Sequence, residues 1–141
     1  MFRIFLCTIS ILAFVSSIHW NGNHLEIGFR TAQAGSSDCN FIQNNDLQHY
    51  CDRKCNFIKN NDLKYFCKGD YNFIQNTDLK YYGKSQCNFI QNKNLQYMCK
   101  GEYNFIQSNE LKYYGKSQCN FIQNNDLKYL CKAGLRYPGT H

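Results

Sequence analysis

The residues best placed to do chemistry are eight cysteines in a regular array: Cys39, Cys51, Cys55, Cys67, Cys87, Cys99, Cys119 and Cys131. Thiols at that density form disulfides in an oxidising compartment and bind metal in a reducing one. Zinc could use Cys51 and Cys55, but that spacing occurs once and has no second half. The histidines, His19, His24, His49 and His141, form no motif. His49 stands where equivalent segments carry Tyr, so it reads as a drifted Tyr rather than a base. Asn44-Asn45-Asp46 faintly suggests calcium, but the spaced acids and the glycine of a calcium loop are missing. A helix cap is the better reading of that triplet. No catalytic, cofactor-binding or metal residue is assigned, no cofactor is implied, and the chain is not expected to be an enzyme.

Two surface features could bind a partner. One is a column of lysines, Lys64/Lys68, Lys80/Lys84, Lys112/Lys116 and Lys128/Lys132, with Lys100. Each pair is spaced i,i+4 and shares a helix face. The other is a row of Tyr65, Tyr81, Tyr97, Tyr113 and Tyr129. These rings either cover a neighbouring helix or offer aromatic contacts beside Asn, Gln and Lys. From Gly35 onward fourteen Lys and Arg face nine Asp and Glu, a net charge of +5. Spread evenly, that charge suits a solvated face or an anionic partner such as an envelope polysaccharide. It lacks the dense basic cluster of a nucleic-acid binder.

The elements that position these residues are repeats. Six units of sixteen residues begin at Cys39, Cys55, Tyr71, Cys87, Tyr103 and Cys119. Their pattern is C-N-F-I-Q-N-N-D-L-K-Y-Ω-C-K-x-x, with Ω a large apolar residue. Asn, Phe, Ile and Leu are identical in all six at the second, third, fourth and ninth places. Segment 55–86 matches segment 87–118 at 23 of 32 positions, so the duplicated piece was a pair of units. The copies serve as an internal alignment for the disulfides. The first and thirteenth places are both Cys in four units and change together to Tyr71/Gly83 and Tyr103/Gly115 in the other two. Pairing within units, Cys39 with Cys51, Cys55 with Cys67, Cys87 with Cys99 and Cys119 with Cys131, leaves no thiol over. Where the bridge is lost, a Tyr ring lying over a bare glycine fills the gap.

A bridge needs its Cα atoms within about 7 Å, whereas twelve helical residues span about 18 Å. The chain therefore reverses inside each unit, near Asn44-Asn45-Asp46. The sixth place, Asn or Ser, caps a helix there, and the acid two residues on favours its N-terminus. Leu47, Tyr50, Cys51, Cys55 and Ile58 keep to one side of a helix drawn across the unit boundary. The expectation is an all-α, disulfide-stapled array of short helices. Each unit would hold one helix of about a dozen residues, in antiparallel helical hairpins or a small α-solenoid. Gly69, Gly83, Gly101 and Gly115 then fall mid-helix and would kink or split it. A β-hairpin per unit fails, because Phe41-Ile42 and Tyr65-Phe66 break strand alternation. Ile, Leu, Phe and the Ω residue are the expected core of each unit.

At 141 residues with 43% hydrophobic side chains, nine Gly and one Pro, the chain has room for one small domain and is neither collagen-like nor a low-complexity linker. Residues 1–18 read as a signal peptide, with Arg3 ahead of an apolar run of about fifteen residues that includes Cys7. Cleavage could follow Ser17 or Ala34. Residues 19–38 read as a loose N-terminal segment, 39–134 as the repeats and 135–141 as a tail. No stable membrane span is expected after processing. The unit core, C-x2-I-x-[NS]-x-[DNE]-L-[KQ]-x2-C, resembles the C-x2-I-x-D-x-D-L-R-x2-C segments of small exported bacterial cysteine-repeat proteins. The resemblance covers 39–131 and implies export and disulfides, with no activity and no functional residue carried over. The expected role is a secreted or periplasmic, non-enzymatic scaffold or interaction protein, bound to an anionic envelope polysaccharide or another protein. The alternative is a cationic toxin-like or antimicrobial protein.

Overall fold

The computed structural model describes residues 37–139. The expected signal peptide, 1–18, and nearly all of the expected N-terminal segment, 19–38, lie outside the described residues.

Each unit opens with one turn of 3-10 helix and continues, after a bend, into a short α-helix. The turns are Ser37–Phe41, Cys55–Phe57, Tyr71–Phe73, Cys87–Phe89, Tyr103–Phe105 and Cys119–Phe121. The helices are α1 (Asn45–Cys51), α2 (Asn61–Lys68), α3 (Thr77–Gly83), α4 (Lys93–Lys100), α5 (Asn109–Gly115) and α6 (Asn125–Lys132). The sixth place starts every helix. Five Asn side chains accept from the backbone N–H three residues on at 2.9–3.1 Å, and Ser108 does so at 3.4 Å. That satisfies one donor the helix leaves open.

The helices are shorter than the apolar spacing implied, seven or eight residues each. The cause is the fifteenth place. Arg53, Gly69, Ser85, Gly101 and Ser117 all have φ between 57° and 78°. This left-handed residue closes α1 to α5 with paired reverse hydrogen bonds, as in Gly69 N–H to Phe66 O (3.2 Å) and Asp70 N–H to Tyr65 O (2.9 Å), and Gly134 (φ 70°), one place later, does the same for α6. Gly69 and Gly101 are therefore helix ends and not mid-helix defects. The stretch after each of them winds as the next unit's 3-10 turn. The antiparallel hairpin is thus the 3-10 turn and the α-helix of one unit, stapled across the reversal.

All four bridges join cysteines twelve positions apart, with Cα atoms 5.5–5.6 Å from each other. In units 3 and 5 the Tyr71 and Tyr103 rings lie directly over Gly83 and Gly115, where any Cβ would collide with ring carbons. The aromatic ring fills the volume that sulfur fills elsewhere.

The array closes on itself. Asp46 of unit 1 accepts from the N–H groups of Lys59 and Asn60 in unit 2, both at 2.9 Å. Asp62 and Asp78 repeat this clamp on units 3 and 4, and Glu110 on unit 6. Asp126 of the last unit makes the same contact with the first, accepting from Gln43 N–H at 2.7 Å and Asn44 N–H at 3.2 Å. A head-to-tail contact repeated with one rotation either runs on as a filament or shuts as a ring. Here it shuts after six units, so the solenoid has no open end.

Ile42, Ile58, Ile74, Ile90, Ile106 and Ile122 are buried at the fourth place, as is the ninth-place Leu in every unit but the fifth, where Leu111 is half-buried. The twelfth place, Tyr50, Phe66, Tyr82, Met98, Tyr114 and Leu130, is buried throughout. The segment after α6 is no loose tail. Tyr50 donates its hydroxyl to Arg136 O at 2.9 Å and Tyr114 donates to Leu135 O at 2.8 Å. Arg136 donates to the carbonyls of Tyr82 and Gly83. A segment that touches units 1, 3 and 5 of a six-unit ring lies on its axis. Tyr137 and Pro138 are buried there.

Candidate functional site

The invariant Phe of the third place is not core. Phe41, Phe57, Phe73, Phe89, Phe105 and Phe121 are 58–67% exposed. The bend between the 3-10 turn and the helix sends Ile inward, and the preceding Phe then faces out. Each Phe leans on the eleventh-place ring of the unit before it. Tyr65–Phe73, Tyr81–Phe89, Tyr97–Phe105 and Tyr113–Phe121 have centroids 5.2–5.5 Å apart. His49–Phe57 (5.6 Å) and, across the closing seam, Phe41–Tyr129 (4.9 Å) complete the circle. His49 thus packs as the tyrosines do. The Tyr row is half-buried, packed on the core and bearing the Phe belt.

Beside every Phe stands an Asn: Asn40, Asn56, Asn72, Asn88, Asn104 and Asn120. All six are exposed, and their side chains make no hydrogen bond among the described residues. Amides free to donate and accept therefore flank open aromatic faces all round the ring. One such place forms a shallow notch of about 300 Å³ lined by Gly69, Asp70, Tyr71, Asn72, Phe73 and Lys84.

The lysines surround this belt. Lys68, Lys84, Lys100, Lys116 and Lys132 are exposed, and Lys64, Lys80, Lys112 and Lys128 are half-buried. Lys132 Nζ lies 5.4 Å from the centre of the Tyr129 ring. Among the described residues the only ion pair is Lys54–Asp52, at 3.0 Å. The reason is structural: the eighth-place acids are engaged by backbone N–H groups at the seams. Burial alone would raise the Asp46 carboxyl, but donation from Lys59 and Asn60 and the charge of Lys59 outweigh it and hold the group below 3.8. The columned lysines are left without carboxylate partners.

Cys51 and Cys55 belong to two different bridges, to Cys39 and Cys67. Asn44 caps α1 and Asp46 clamps unit 2, which accounts for the triplet that suggested calcium. Sequence reasoning placed the lysines on the surface side of each unit, left the tyrosines open between covering a neighbouring helix and facing a partner, and assigned the Phe to the core. A fixed Phe beside a fixed Ile gives no sign of which one points inward. Among the described residues no helix is long and apolar enough to cross a membrane. Comparison with protein-family models, curated proteins and solved structures found no match.

Proposed function

We propose that the chain is an exported, non-enzymatic interaction protein whose outer belt of Phe, Tyr, Asn and Lys binds an anionic envelope polysaccharide. One observation carries this reading. Four places are identical in all six units, and burial accounts for only two of them, Ile and Leu. The other two, Asn and Phe, are exposed, while their neighbours at the fifth, seventh and tenth places have drifted. Stacking on the eleventh-place ring engages one side of each Phe and leaves more than half of it open, and the Asn beside it has no hydrogen-bond partner among the described residues, so a shared contact on the outer belt is the reading that accounts for both.

Aromatic faces beside free amides suit sugar rings, which offer C–H faces to stack and hydroxyls to bond. The unpaired lysines add attraction for anionic groups that salt should weaken. Six weak contacts on one ring reinforce each other through effective concentration. Four disulfides suit an oxidising compartment, in line with a secreted or periplasmic life.

The test is binding of the oxidised protein to purified anionic cell-wall glycan across a salt series, beside the triple variant Phe73→Ser/Phe89→Ser/Phe105→Ser. Saturable, salt-weakened binding that the triple variant loses at least tenfold is expected. Equal binding by the two proteins, or none by either, refutes the reading. Leakage of lipid vesicles at the same protein concentrations would instead support a toxin-like role.

A further inference from the structure

We propose that the axis of the ring is a peptide-recognition site for an extended segment carrying Arg, then an aromatic residue and Pro, and that residues 135–139 are its resident ligand. The site is independent of the outer belt.

The ring contributes readers of two kinds. Tyr50 and Tyr114 donate hydroxyls to consecutive backbone carbonyls, of Arg136 and Leu135, as a site for any extended chain would. The Arg is read separately. Its guanidinium donates to the carbonyls of Tyr82 and Gly83, lies 4.2 Å from the Tyr82 ring centre and 5.7 Å from that of Phe66. Among the described residues Gly83 O ends α3 without a backbone N–H partner, Tyr82 O accepts from Ser85 N–H at 3.1 Å and from the Arg besides, and a helix C-terminus favours a cation. A planar guanidinium suits both the carbonyl pair and the ring faces. The Tyr137 ring meets Tyr114 edge-on at 5.6 Å, and Pro138 is fully buried.

A mere filler for an apolar hole needs no arginine. Arg136 stays exposed on one side while its guanidinium bonds two carbonyls and faces two rings, which is how a recognised side chain sits. The hydroxyl-bearing residues also follow a pattern. At the twelfth place Tyr alternates with Phe66, Met98 and Leu130, so phenols come only from units 1, 3 and 5. Phenols from units 1 and 5 hold the backbone, and unit 3 holds the Arg. The segment joins the ring only through Ala133-Gly134, and it forms no part of any repeat.

The experiment uses the full chain carrying Arg136→Ala, which loosens the resident segment, and a fluorescent peptide Leu-Arg-Tyr-Pro-Gly. Saturable binding to this variant is expected by anisotropy. The unaltered protein should bind at least tenfold more weakly, because its own segment competes at high effective concentration. Replacing Arg by Ala in the peptide should cost tenfold or more, and adding Tyr50→Phe to the variant should weaken binding further. If Arg136→Ala loses its helical circular dichroism, Arg136→Lys replaces it. Absence of peptide binding by a folded variant, or binding indifferent to the peptide's Arg, overturns the proposal and leaves the segment a plug of the core.

Discussion

Closure of the ring makes Asp126 a decisive residue. In an open array it would clamp nothing and its replacement would be silent. In the ring its two carboxylate oxygens hold Gln43 N–H and Asn44 N–H at 2.7 and 3.2 Å. Asn at this place can accept on one oxygen only. The molecule already carries such a seam, since Asn94 accepts from Gln107 N–H at 2.9 Å and reaches no second donor. Asp126→Asn should therefore lose one charge-assisted bond and weaken the other. Bonds to charged groups contribute about 1.5–3 kcal/mol each, and exposure at the seam moves the estimate to the low end. A loss of about 1–2 kcal/mol is expected, or about 5–10 °C in Tm for a domain of this size. Thermal unfolding of the oxidised protein, with Asp62→Asn as the internal-seam reference, is the assay. Equal losses at the two seams support closure. A silent Asp126→Asn beside a destabilising Asp62→Asn would refute it.

Other outcomes follow from single contacts. Gly83→Ala should destabilise by about 1 kcal/mol, since overpacking against Tyr71 (about 1–3 kcal/mol) exceeds the helix-propensity gain of about 1. In a Tyr71→Ala background the same change should become stabilising, and a urea double-mutant cycle reads the sign. Ser85→Gly should stabilise by about 0.5–1 kcal/mol. It relieves a left-handed residue at φ 58°, a conformation that costs an L-residue about 1–2 kcal/mol, and glycine's entropy returns part of the gain. Because the native Asp46 carboxyl lies below its unfolded value of 3.8, its clamp is whole above that pH and is lost as pH falls through the native value. Asp46→Asn should flatten the acid limb of a stability–pH curve. At the alkaline end burial raises Tyr50, Tyr82, Tyr114 and Tyr137 above 10, Tyr137 to about 12. Stability from these phenols is present below pH 10 and lost as pH climbs toward the native values, so their phenolate absorbance should appear together with unfolding.

The bridges were legible because paired residues change together: Cys with Cys, or Tyr71 with Gly83. The reversal within a unit followed from bridge geometry, and the Asn caps followed from hydrogen-bonding chemistry. The helix length was not legible. Apolar spacing runs smoothly from Leu47 to Ile58, and at Arg53 no glycine announces the left-handed break. Two glycines that seemed to interrupt helices, Gly69 and Gly101, end them. Phe misled because invariance and hydrophobicity together suggest a core, and only the bend that turns Ile58 inward leaves Phe57 outside. Closure did leave a trace. Asp126 keeps the eighth-place acid although the residues directly after its unit, 135–139, do not carry the repeat pattern. The axial role of Leu135-Arg136-Tyr137 left none, because its partners lie in units 1, 3 and 5, distant in sequence.

A circle fixes how many members it can seat. Tandem arrays commonly grow and shrink as recombination adds or drops a copy, and a linear stack survives either event by becoming longer or shorter. Here the arc each copy subtends is set by its seam, so a seventh member would have no place and a fifth-only version would gape, with Asp126 facing water and the axial segment unsupported. The number of repeats is for that reason as tightly constrained by the ring's geometry as a buried side chain is by its neighbours.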